Sequence, residues 1–176
     1  DTTEEERTRL KELMDRGLDE GGLGFGLGIT YTPGASRSEI FEIFELASEQ
    51  NVPLFLHTRS SNSGGTLGAF QEGIANAAAT GASLHFVHLN SSSGELAPTV
   101  LSLIRGARDR GIDITTEAYP YTAGSTRIES ASYDNWEGRD DADFARLLWP
   151  ATGERLTAES FARYREEGGW VISGGR

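Results

Sequence analysis

Two apolar runs in this chain each end in a histidine, Pro53-Leu54-Phe55-Leu56-His57 and Ser83-Leu84-His85-Phe86-Val87-His88. They lie about thirty residues apart, the length of one strand-helix-strand crossover. Such a crossover sets two imidazoles side by side at the same end of a parallel sheet. Neutral imidazole is a common zinc ligand, and catalytic zinc sites take ligands from the ends of neighbouring strands. His57 and His88 are therefore the candidate metal ligands. Taken singly, each could equally be a strand-end histidine bonded to a backbone carbonyl; the matched positions favour ligation. Two imidazoles do not complete a catalytic zinc, which takes about three protein ligands and one open position. Cysteine is absent, so no thiolate can come from this chain.

Strand alternation predicts that Leu84, Phe86 and His88 share the inward face, with His85 turned to the helix layer as a structural residue. Arg59, two residues past His57, could clamp a substrate carboxylate with its planar fork or pair with an acidic neighbour, the second being the default. Glu117 could orient a histidine or close a surface ion pair. The hydroxyl-rich stretch Tyr119-Pro120-Tyr121-Thr122-Ala123-Gly124-Ser125-Thr126 reads as a loop that is either a stiff turn or a set of donors aimed at a bound substrate. Asn62-Ser63-Gly64-Gly65 and Asn90-Ser91-Ser92-Ser93-Gly94 are further loops, serving a polar ligand or only as connectors.

The elements that must position these residues repeat. Strand-like runs begin near Leu23, Val52, Ser83 and Ile112, and the first three are each followed by a helical pattern. Ser36 to Gln50 reads as a helix with Ser36 and Glu39 as a capping box, Leu67 to Thr80 as a second helix stopped by Gly81, and about Glu95 to Arg110 as a third. Asp1 to Glu20 reads as a leading helix and Thr157 to Gly168 as a separate late one. The fold expected is α/β, an arc of a (β/α)8 barrel, since the repeat is even, polar residues gather at C-terminal strand ends, and no Gly-rich dinucleotide loop follows the first strand. Leu23-Gly24-Phe25-Gly26-Leu27-Gly28-Ile29 leaves one strand face nearly bare. One partial barrel domain is expected over residues 1–176: a leading helix over 1–21, repeated β/α units over 22–121, and a loop and helical extension over 122–176. A full barrel takes about 250 residues, so the chain is expected to be the middle of a larger enzyme.

Net charge is -11 with no Lys/Arg cluster of the kind that neutralises phosphates, which argues against a nucleic-acid partner. No run approaches a membrane span and no secretory signal opens the chain, so no membrane partner and a cytoplasmic setting are expected.

The ordered series Leu23-Gly24-Phe25-Gly26, Tyr31-Thr32-Pro33-Gly34, His57-Thr58-Arg59, His88-Leu89-Asn90 and Glu117-Ala118-Tyr119-Pro120-Tyr121, with Ala123-Gly124-Ser125-Thr126, resembles the D-aminoacylase branch of the amidohydrolase superfamily. The likeness covers roughly residues 22–130, and its most distinctive part runs from Tyr119 to Thr126. It implies a (β/α)8 barrel, zinc as cofactor, a small N-acyl amino acid as substrate and hydrolysis of its amide bond. It implies metal ligation by His57 and His88, and substrate contact by Tyr31, Tyr119 and Ser125, the last two near the carboxylate. Arg59 and Asn90 stand at neighbouring positions and are expected to line the substrate. Asn90 replaces the lysine common in D-aminoacylases proper, which is more similar to the N-acyl-D-glutamate deacylase branch. The family's first-strand His-X-His, its metal-bridging cysteine and its general-base aspartate have no match here, so the chain corresponds to strands four to seven and no catalytic base is expected within it. Other readings are a cyclic amidase of the dihydroorotase or hydantoinase type, and a non-catalytic half-barrel interaction module.

Overall fold

The computed structural model describes residues 2–59 and 65–174. They fall into two compact units, residues 1–119 and 120–176. In the first, α1 (Glu4–Asp19) starts on a capping box of Thr3 and Glu6. It leads through β1 (Phe25–Gly28), α2 (Arg37–Glu49), β2 (Leu54–His57), α3 (Thr66–Thr80), β3 (Leu84–Phe86), the short α4 (Leu89–Ser93), α5 (Ala97–Arg108) and β4 (Ile114–Thr116). The first two long helices begin where side chains meet unpaired backbone N–H groups. Ser36 accepts from the Glu39 N–H while the Glu39 carboxylate accepts from the Ser36 N–H, and Gly81 closes α3 in the left-handed conformation that a side chain disfavours.

The four strands pair in parallel in the order β1-β2-β3-β4. The register lines up Phe25, Leu54, Leu84 and Ile114 in one row, all buried, and Gly26, Phe55, His85 and Thr115 in the next, which is open: Phe55 is 40% exposed. Successive side chains on a strand point to opposite faces, so one face is covered and the other is not. The cover is helical. Phe70 of α3 meets Phe86 with ring centroids 4.9 Å apart, and Phe44, Val100 and Ile104 join the same core. Helices on one face only are the layering of a barrel arc; a doubly wound sheet buries both.

That layering overturns the facing expected for the histidine strand. Leu84 and Phe86 pack toward the helices, and His85 stands on the open face, its Nδ1 2.8 Å from the Thr115 hydroxyl and its ring centroid 5.5 Å from that of Phe55. The strand alternation ends at Phe86, two residues before His88. Residue 88 lies beyond the strand, and its backbone turns there into the left-handed region (φ 35°).

The second unit contains β5 (Ala123–Arg127), α6 (Asp141–Phe144), β6 (Leu147–Trp149), β7 (Glu154–Arg155), α7 (Ala158–Glu167) and β8 (Trp170–Gly174). Its strands form an antiparallel sheet in the order β5-β8-β6-β7. A loop with a helical extension was expected over this stretch. The helix is present, capped by Thr157, but so is a sheet, and Ala123 to Thr126 belongs to a strand. The strands are two to five residues long, and β5 carries Gly, Ser and Thr where an apolar alternation would announce it. Ile128, Phe144, Leu147, Leu156, Phe161 and Val171 form its separate core. No helix among the described residues is long and apolar enough to cross a membrane.

Candidate metal centre

Parallel pairing sets Gly28 beside His57, and the Val87 N–H reaches the Leu56 carbonyl at 3.2 Å, so the ends of β1, β2 and β3 are level. Phe55 and His57 point to the open face. The left-handed turn at His88 releases that residue from the alternation of β3 and brings its ring to the same side. His57 Nδ1 and His88 Nε2 are 2.8 Å apart, with ring centroids 4.5 Å apart and planes at 74°. A non-glycine residue in the left-handed region costs on the order of 1 kcal/mol and persists where its surroundings hold it. Here the Glu117 carboxylate accepts from the His88 N–H at 3.3 Å, and the His88 carbonyl accepts from the N–H groups of Ser91 and Ser92.

Burial lowers the pKa of His57 to about 4, the adjacent His88 adding to the effect, and burial also lowers that of His88. Both rings are therefore neutral near pH 7, each with one nitrogen lone pair. Zinc–imidazole bonds are about 2.0–2.1 Å, which places two tetrahedral ligand nitrogens about 3.3 Å apart. The two nitrogens need separate by only about half an ångström to fit that spacing. Among the described residues no group of three or more His, Cys, Asp or Glu side chains is arranged to hold a metal. The pair alone falls short of the about three protein ligands that a catalytic zinc takes.

Tyr31 stacks on His57, centroids 4.9 Å apart and planes 1° from parallel. Gly28 makes this possible, because a Cβ there would stand 3.0 Å from the Tyr31 ring. Tyr119 meets His88 edge-on at 6.1 Å. The structure brings Tyr31 and Tyr119, named from the resemblance, together with His57 and His88, which stand side by side as their spacing predicts. Arg59 does not present a free fork. Its Nε and Nη2 donate to the two Glu72 oxygens at 3.1 and 2.9 Å and its Nη1 donates to the Ala35 carbonyl at 2.7 Å, so the acidic-neighbour pairing is present in the structure. Asn90 is likewise engaged, donating to the Tyr119 carbonyl at 3.0 Å and accepting from the Tyr119 N–H at 3.3 Å. Ser125 lies in the second unit on β5, where its hydroxyl donates to the Val171 carbonyl at 3.3 Å. Asn62 to Gly64 lie outside the described residues.

Two further residues contact His88 directly: Ser92, named in the sequence only as part of the loop from Asn90 to Gly94, and Glu117, for which orienting a histidine was one of two readings. Ser92, 4% exposed, places its hydroxyl 2.9 Å from His88 Nδ1. Its signal was available as the i+4 position of a short helix that His88 opens. Glu117 touches the His88 backbone, and its other oxygen lies 3.7 Å from His85 Nε2.

No family model matches the chain. It is 27% identical over 170 residues to an N-acyl-D-glutamate deacylase of Alcaligenes xylosoxydans xylosoxydans, an alignment that takes in 90% of this chain and 33% of that protein. Its fold aligns over 99% of the chain with the N-acyl-D-glutamate deacylase of Bordetella bronchiseptica, solved with zinc and a phosphonate mimic of the tetrahedral intermediate, at a TM-score of 0.77 and 22% identity. A crystal structure of D-aminoacylase aligns over 98% at a TM-score of 0.71 and 23% identity. The chain is thus similar in sequence to an N-acyl-D-glutamate deacylase and in fold to solved D-aminoacylase-type chains. It spans a third of the curated relative's length, and 40% and 39% of the two solved chains. The likeness in fold agrees with the α/β architecture and with the barrel-like, one-sided helix layer of residues 1–119.

Proposed function

We propose that this chain supplies the metal-binding strand ends of a zinc-dependent deacylase that hydrolyses the amide bond of N-acyl-D-amino acids. The approach of His57 Nδ1 to His88 Nε2 at 2.8 Å, on adjacent strand ends and with both rings neutral, carries the reading. Zinc bound there would lower the pKa of a water to about 7 and polarise the scissile carbonyl. The residues of this chain contribute placement. Tyr31 fixes the plane of the His57 ring, and its 42% exposure leaves surface for a bound ligand. Asn90 ties down the backbone of Tyr119, so that the Tyr119 ring is held at the edge of His88. Ser125 is proposed as a further substrate contact on the strength of the sequence resemblance alone. The carboxylate that takes the proton from water, and the remaining metal ligands, come from outside residues 1–176 in this reading.

Zinc titration by calorimetry tests the ligand pair. One weakly bound zinc per chain is expected, lost in His57→Asn and in His88→Asn; unchanged binding in both variants refutes the assignment. The 176-residue chain alone is expected to release no amine from N-acetyl-D-glutamate, and turnover by it would contradict the incomplete site. In a protein carrying the remaining ligands and base, N-acetyl-D-glutamate should be hydrolysed in preference to a cyclic imide, and the opposite preference would favour a cyclic amidase.

A further inference from the structure

A histidine that binds a metal through one nitrogen must carry its proton on the other, and a partner for that proton selects the tautomer. His88 turns Nε2 toward His57 and Nδ1 toward the buried hydroxyl of Ser92 at 2.9 Å. The ring is thus held at one nitrogen while the other faces the candidate metal position. Its backbone is held separately: the Glu117 carboxylate accepts from the His88 N–H, and the Leu89 N–H donates to the Glu117 carbonyl at 2.9 Å. Ser92 is one turn along α4 from His88, and Glu117 follows β4, so the two restraints come from different elements.

We propose that Ser92 and Glu117 are positioning residues for His88: the Ser92 hydroxyl accepts the Nδ1 proton and leaves the Nε2 lone pair facing His57, while Glu117 holds the left-handed backbone that brings the ring there. This rests on the reading of His88 as a metal ligand, but its first consequence is observable without metal. Nitrogen-15 NMR of the metal-free chain at pH 7.5 should show His88 protonated at Nδ1 and bare at Nε2. In Ser92→Ala that preference should fall to a mixture, and Ser92→Thr, which keeps the hydroxyl, should restore it. Zinc affinity should drop about 10–100-fold in Ser92→Ala, the usual effect of removing such a partner. A comparable drop is expected in Glu117→Ala, with recovery in Glu117→Gln, which retains a carbonyl acceptor for the His88 N–H. Far-UV circular dichroism of each variant separates these effects from unfolding. An Nε2–H tautomer in the unsubstituted chain, or zinc affinity within twofold of it in folded Ser92→Ala and Glu117→Ala, overturns the proposal while leaving the metal reading in place. An Nδ1–H tautomer that depends on Ser92, in a chain that binds no zinc, supports the positioning and overturns the metal reading.

Discussion

Gly73 stands where α3 crosses the sheet, and a side chain there would be felt at both histidines. A Cβ built on it would lie 2.9 Å from Leu56 Cδ2 and 2.9 Å from both Cε1 and Cζ of Phe86. Carbon atoms pack best at about 3.5–4.0 Å, so α3 would have to retreat by about 0.6 Å or more. Neither neighbour can yield instead: Leu56 is 2% exposed and Phe86 fully buried. Overpacking of this kind costs about 1–3 kcal/mol, and three contacts against immobile side chains place Gly73→Ala in the upper half of that range. Replacing glycine by alanine within a helix returns about 1 kcal/mol. The net expectation is a loss of about 1–2 kcal/mol. Gly68, on the same helix, has nothing within 4 Å of its Cβ position. Gly68→Ala should therefore stabilise by about 0.5–1 kcal/mol, so the two substitutions differ in sign. Urea unfolding followed by far-UV circular dichroism measures both. Because Leu56 directly precedes His57 and Phe86 lies two residues before His88, zinc binding should also weaken in Gly73→Ala and not in Gly68→Ala. A Gly73→Ala chain as stable as its Gly68→Ala counterpart would refute the packing argument.

Arg59 and Glu72 are mostly buried, their side chains 23% and 12% exposed, and they meet through two parallel hydrogen bonds. Arg59→Lys keeps the charge but loses the fork, and should cost about 1–2 kcal/mol; a double-mutant cycle with Glu72→Gln that gives no coupling would show the pair to be incidental. His57 gives a pH dependence whose sign follows from its pKa, lowered to about 4 from 6.5. The fold holds the ring neutral while the unfolded chain takes up a proton below about 6.5. Stability is therefore fully present above pH 6.5 and is lost as pH falls toward 4. The amount is about 1–2 kcal/mol once the shift is discounted for a half-exposed ring. Urea midpoints measured between pH 7.5 and 4 should fall less steeply in His57→Gln than in the unsubstituted chain, and parallel curves would contradict the shift.

The β/α alternation was legible because it is written in local terms: a capping box and an apolar stripe mark α2, and a stopping glycine ends α3, each within its own segment. What escaped the sequence depends on partners distant along the chain. Glu72 lies thirteen residues beyond Arg59, and the Ala35 carbonyl twenty-four residues before it; no local pattern tells a guanidinium which acceptor it will meet. The second sheet is a stronger case. Ala123 to Arg127 is a strand only because Trp170 to Gly174 lies against it, and half of that pairing is forty-odd residues away. A Gly-Ser-Thr segment becomes extended when its partner arrives, whereas Ile40, Ile43, Phe44 and Ala47 mark a helix on their own.

The misassigned facing of His85 shows how the site is made. Had β3 kept its alternation through residue 88, the His88 ring would have shared a face with Leu84 and Phe86 and entered the helix layer. The left-handed residue at the strand end reverses that outcome, and it does so where the chain must leave the sheet to begin α4. A turn needed to end a strand thus also selects the face on which an imidazole appears. The same turn directs the backbone N–H of His88 at Glu117 and sets Ser92 one helical turn away from its ring. Polar contacts close to His88 consequently come from its own exit helix and the next strand end, which leaves the approach from His57 and Tyr31 as the side where the two ring nitrogens meet, 2.8 Å apart. A group joining the two imidazoles would have to approach from the open sheet face, to which Gly26 and Gly28 add no side chains of their own.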